Sequence, residues 1–171
     1  DCAGNGELVQ DQCSDCDGRG YIERTREITV RVPAGVESGT RLRLRDEGET
    51  GRRGGARGDL YVFLHVDPSE DFERRGADLH HEVTINFAKA ALGCQVEVPT
   101  VDGVATVTFD AGTQHGDIQR LRDHGVKHLD SDRRGDLLVH ARVTIPDSLA
   151  DKERELLERL DVLLSDEAGP P

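Results

Sequence analysis

Sliding the chain along itself by 77 residues lays residues 28–68 over 105–145 with 16 identities in 41 positions and no gap. Thr29-Val30 meets Thr106-Val107, Ala34-Gly35 meets Ala111-Gly112, and Gly39 meets Gly116. Arg43-Leu44-Arg45-Asp46 meets Arg120-Leu121-Arg122-Asp123, and Arg57-Gly58-Asp59-Leu60 meets Arg134-Gly135-Asp136-Leu137. A fixed offset held this long means one structural unit written twice, which rules out any single fold that does not repeat.

Each copy carries the period of two expected of half-buried strands. Ile28, Val30 and Val32 alternate with Thr29 and Arg31, Leu42 and Leu44 with arginines, and Leu60, Val62, Leu64 and Val66 with Tyr61, Phe63 and His65. The second copy repeats this over 104–109, 119–122 and 137–143. Between the copies, 78–85 reads as a strand, 86–92 as a short helix capped by Asn86, and 96–101 as a strand closing on the turn Asp102-Gly103. The fold class that follows is mainly β, with two tandem small sandwich-like or barrel-like modules. Helical spacing appears only at the end, where Leu149, Leu156, Leu157, Leu160, Leu163 and Leu164 share one face behind Ser148 as a cap. Such a stripe must be covered, either by folding back onto its own domain or by pairing with the same helix of a second chain, and the second is expected because two small domains offer little spare core.

The 171 residues hold 34 acidic against 22 basic side chains, a net charge of -12. Nucleic acids and anionic membranes are bound through clustered Lys and Arg, so neither is an expected partner. No apolar run approaches the roughly 20 residues of a membrane helix, and no signal peptide opens the chain, so a soluble, cytoplasmic protein is expected. The chain begins Asp1-Cys2 rather than Met and reads as a piece of something longer.

Three of the four cysteines lie at the start. Cys13 and Cys16 form a C-x-x-C pair, and Cys16-Asp17-Gly18-Arg19-Gly20 repeats the pattern of Cys2-Ala3-Gly4-Asn5-Gly6. A knuckle of this kind turns two thiolates toward one ion, and the glycines after it tolerate the tight backbone. Zinc is the leading reading of these residues. A redox pair at Cys13 and Cys16 is the second, although no helical pattern follows to lower a thiol pKa, and inert thiols are the third. Cys94 reads as a buried structural thiol.

The ordered series of motifs resembles a known family. Paired C-x-x-C-x-G-x-G units are followed by Val32-Pro33-Ala34-Gly35-Val36-Glu37-Ser38-Gly39, Gly58 to Val62, Phe72 to Leu79, Ile85 to Gly93, Glu97 to Gly103 and Arg134 to Leu137. Together they are similar to the C-terminal half of DnaJ-type co-chaperones of the zinc-containing class. The resemblance implies a remnant of a cysteine-rich zinc region over 1–22, a first, client-binding β domain over 23–99, a second over 100–147, and a dimerisation helix with an acidic tail over 148–171. It implies two zinc ions in the intact protein, with Cys13 and Cys16 in the fourth unit and Cys2 in the third. It also implies unfolded clients held along Ile28, Val30, Leu60 and Val62, homodimers through Leu156, Leu157, Leu160, Leu163 and Leu164, and a DnaK-type chaperone as partner. No Ser/His/Asp or paired-carboxylate arrangement suggests catalysis. The rival reading is a zinc-dependent thiol-disulfide oxidoreductase or isomerase acting through Cys13 and Cys16.

Overall fold

The computed structural model describes residues 14–16, 21–51 and 55–167. They belong to two compact units, Asp1–Asp67 and Pro68–Pro171. The architecture is mainly β with a C-terminal helix, as the alternation predicts. The strand-helix-strand segment between the copies lies in the Pro68–Pro171 unit.

In the first unit β1 (Arg41–Leu44) and β2 (Leu60–Phe63) form an antiparallel hairpin. Leu42 lies opposite Val62 and Leu44 opposite Leu60, while Arg41 and Arg43 face Phe63 and Tyr61. Because side chains alternate across a strand, one face of the hairpin is aliphatic and the other is arginine and aromatic. The ladder continues past β2 through the Leu64 amide to the Thr40 carbonyl, 2.9 Å, and the Gly39 amide to the Leu64 carbonyl, 2.8 Å.

The strand expected over 28–32 is not seen among the described residues. Residues 21–33 join no sheet among the described residues. In the second copy the matching residues form β6 (Gly103–Phe109), with β5 (Cys94–Thr100) antiparallel beside them. A strand needs a neighbour for its backbone hydrogen bonds. The corresponding residues of the first copy, 17–23, lie mostly outside the described residues.

The second unit is built on a four-stranded sheet ordered β3 (Glu73–Arg75), β4 (Asp78–Asn86), β8 (Leu137–Thr144) and β7 (Ile118–Leu121). β4 and β8 run parallel, from Leu79 opposite Leu137 to Asn86 opposite Thr144, and the other pairs are antiparallel. Leu79, Ile85, Leu137, Val139 and Ala141 from this sheet meet Val98, Val107 and Phe109 of the β5–β6 hairpin and Ala90 of the helix α1 (Phe87–Leu92) in a closed core. Asn86 caps α1 as expected, its Oδ1 accepting from the Lys89 amide at 2.8 Å. Cys94 is half-buried against this core rather than inside it.

The terminal helix α2 spans Asp151–Glu167. Its N-terminus is not capped by Ser148. Ala150 occupies the cap position, and its amide donates to the Glu153 carboxylate at 2.8 Å, which is the reach-back half of a capping box.

Candidate functional site

The repeated Arg-Leu-Arg-Asp and Arg-Gly-Asp-Leu strings form one device, built twice. In the first copy the Asp59 carboxylate accepts from the Asp46 amide at 3.1 Å and from Arg43 Nε at 2.6 Å. In the second, Asp136 accepts from the Asp123 amide at 2.9 Å and from Arg120. Asp46 and Asp123 take φ of 57° and 60°, left-handed backbone that aspartate tolerates better than most residues. The Asp46 amide, then the Arg43 guanidinium, hold the Asp59 carboxyl below the usual carboxylate range, and the Asp123 amide and Arg120 do the same for Asp136. These clamps fix where β1 and β2, or β7 and β8, begin to pair.

On that rigid hairpin the first unit carries the residues singled out for client binding. Leu60 and Val62 lie on the aliphatic face with Leu42 and Leu44, and all four are half-buried. Ile28 and Val30 are also half-buried, between exposed Glu27, Thr29 and Arg31. Arg26 ties their segment to the loop after β1, bonding the Glu47 carboxylate at 2.7 Å. The opposite face exposes Tyr61 and Phe63, the latter 70% open, with Arg41 over the Tyr61 ring at 5.2 Å. Among the described residues β2 pairs on one edge only. A strand with one unpaired edge and incompletely covered apolar neighbours can accept a further extended chain.

Charge is divided unevenly along the chain. Residues 21–67 hold nine arginines against eight acids, while residues 68–171 hold twelve bases against 21 acids. The acidity noted from composition therefore belongs mainly to the second unit and its helix, and the hairpin unit is close to neutral.

Of the cysteines, Cys16 is buried, while Cys2 and Cys13 lie outside the described residues. Among the described residues no cluster of three or more His, Cys, Asp or Glu is placed to hold a metal. On α2, Leu156, Leu160, Leu163 and Leu164 are exposed and Leu157 is half-buried, so the apolar stripe is left largely uncovered within one chain.

His80 and His81 face opposite ways, as their adjacency on a strand requires: His81 bonds the Asp71 carbonyl at 2.7 Å, and His80 meets His140. Sequence reading missed this second contact because 60 residues separate the two. Only the parallel register of β4 with β8, which no local signal announces, brings them together.

The DnaJ C terminal domain family matches residues 8–146. "Chaperone protein DnaJ" of Maridesulfovibrio salexigens is 44% identical over 169 residues, 99% of this chain and 45% of that protein. The protein of the same name from Nitrosomonas europaea is 45% identical over 94% of this chain and 43% of its own length. That of Methanothermobacter thermautotrophicus is 46% identical over 98% and 44%. The chain thus spans a little under half the length of these relatives.

Proposed function

The chain belongs to the DnaJ C-terminal domain family, and from that premise we propose that it is the client-holding part of a cytoplasmic co-chaperone. It binds unfolded polypeptide, keeps it from aggregating and passes it to a DnaK-type chaperone. The observation that carries this reading is the first unit's hairpin, where a clamped strand has one edge unpaired among the described residues, beside the half-buried row of Leu60, Val62, Ile28 and Val30. An extended client segment would add its backbone to that edge and set alternate side chains against the aliphatic row. This is binding and not catalysis. The relatives' shared name points to chaperone work and offers nothing for thiol exchange through Cys13 and Cys16.

Zinc belongs to the proposal as a structural element. Thiolates are the donors such a metal takes, and Cys2, Cys13 and Cys16 would contribute to two ions completed by residues outside this chain, cross-linking the backbone beside the first unit. Homodimers would form through α2, by covering Leu156, Leu157, Leu160, Leu163 and Leu164.

The test is suppression of aggregation of a denatured reporter enzyme by the 171-residue chain. Ile28→Ser with Val62→Ser should lose most of the suppression at an unchanged circular dichroism spectrum, whereas Cys13→Ser with Cys16→Ser should retain it. Unfolding of the Ser double variant would assign those residues to core. Full suppression by a folded variant would move the binding surface elsewhere.

A further inference from the structure

His80 Nδ1 and His140 Nε2 stand 2.8 Å apart on the exposed side of the four-stranded sheet. The ring centroids are 5.1 Å apart and the planes differ by 25°. The centroid separation exceeds the nitrogen contact by about one ring width. The two nitrogens therefore point at each other along the line of centres, which is the geometry of an N–H to N hydrogen bond. His80 is in register with Leu138 and His140 with Glu82, so the bond runs diagonally across the parallel seam between β4 and β8.

Such a bond needs one facing nitrogen with a proton and one without. It survives when both rings are neutral and when one is imidazolium, but not when both are. The surroundings decide how readily the second proton is accepted. From β3 the pair faces Glu73 and Arg75, from β4 Asp78 and Glu82, from β7 Arg120, and from β8 Arg142. The acids are already engaged. Glu73 holds Arg75 through bonds of 3.0 and 3.1 Å, Glu82 holds Arg142 at 3.1 Å, and Asp78 accepts from the Asp136 amide at 2.8 Å. Arg120 is committed to Asp136. Among the described residues, no carboxylate facing the pair is left without a partner to balance a second imidazolium.

We propose that His80 and His140 form a proton-operated clasp on the β4–β8 seam, closed by zero or one added proton and opened by two. The seam joins the strands that carry most of the second unit's core, so opening the clasp loosens that unit. Burial, then the charge of His80 and Arg75, hold His140 below the ordinary imidazole value, against a smaller upward pull from Glu82 and Glu73. A histidine whose folded value is depressed contributes nothing at high pH. It lowers stability as pH falls from about 6.5, the unfolded value, toward the folded one. The arginine-paired carboxylates Glu73, Asp102 and Asp136 are held low and stay ionised through this window.

The experiment is a urea-unfolding series on the 171-residue chain between pH 7.5 and 5, with His80→Gln and His140→Gln beside it, and a nitrogen NMR titration of the imidazoles. The native chain should lose stability across the window, about tenfold in the folding constant for each pH unit by which the second proton is refused. Each variant should lose markedly less. The NMR titration should show the pair protonating in two steps, the second below the value of an unperturbed imidazole. Equal pH dependence in all three chains would overturn the clasp, as would both rings titrating in one unperturbed step. If a variant does not fold, the titration of the native chain still decides.

Discussion

Leu60, Val62 and Leu64 in the first copy stand where Leu137, Val139 and Ala141 stand in the second, yet the first three are half-buried and the last three are at most 1% exposed. The hairpins themselves are alike in detail. Gly48 and Gly125 donate to Gly58 and Gly135 at 2.8 Å in both copies, and Gly39 and Gly116 donate to Leu64 and Ala141 at 2.8 Å. What differs is the company. β8 has β7 on one edge and β4 on the other, whereas β2 has only β1 among the described residues. At an offset of 77 the counterparts of β4, α1 and β5 fall on residues 1–23, where the cysteine units lie. One hairpin thus serves as the floor of a closed core, and its twin presents the same floor only half-covered among the described residues. Burial here is set by neighbours and not by the motif.

The sharpest way to break the comparison is at a glycine shared by both copies. A Cβ on Gly135 would lie 2.1 Å from the Ala77 carbonyl oxygen, and one on Gly58 would meet nothing closer than 3.8 Å. Backbone cannot yield as a side chain can, so Gly135→Ala should cost about 4 kcal/mol or abolish folding of the second unit. Gly58→Ala should fall within about 0.5 kcal/mol of the native chain in urea melts. Comparable losses at the two sites would mean that an unseen backbone crosses Gly58 as Ala77 crosses Gly135.

A smaller contrast is expected from core truncation. Leu137→Ala removes a fully buried side chain and should cost about 3–4 kcal/mol, whereas Leu60→Ala should cost about 1–2, by thermal or urea unfolding. Smallest is the pH dependence of the twin clamps. Both carboxylates have lowered values, so each stabilises above the unfolded value of about 3.9, and that contribution is lost as pH falls through the folded one. Asp136→Asn should therefore flatten the acid limb of the stability curve below pH 5. Asp59→Asn should flatten it less, since Asp59 is the more open of the two, 22% against 13%.

The duplication, the mainly β class, the capped helix at Asn86 and the exposed leucine stripe of α2 were all legible in the sequence, because each rests on local spacing. That residues 28–32 join no sheet among the described residues was not. Pairing depends on which segment lies beside which, and the alternation of Ile28, Val30 and Val32 carries no record of that. The start of α2 eluded reading because Ser148 is the better capping residue by type, while the Glu153 reach-back favours Ala150 by position. For the candidate site, the apolar residue types were readable. That Leu60 and Val62 are only half-covered was not, since the same letters are buried one repeat later.

The parallel seam also sets an order of events. β1 and β2 are neighbours in sequence and can pair as soon as Phe63 is available, by closing the one loop between Leu44 and Leu60. β4 must wait for β8, whose last pairing residue is Thr144, and until then Leu79 and Ile85 have no floor to pack on. During synthesis the second unit stays open for almost the whole of its length, and Leu79, Val83 and Ile85 of its strand 78–86 lack their sheet partner throughout that interval. The protein proposed to shelter such segments in others passes through the same state before it can work.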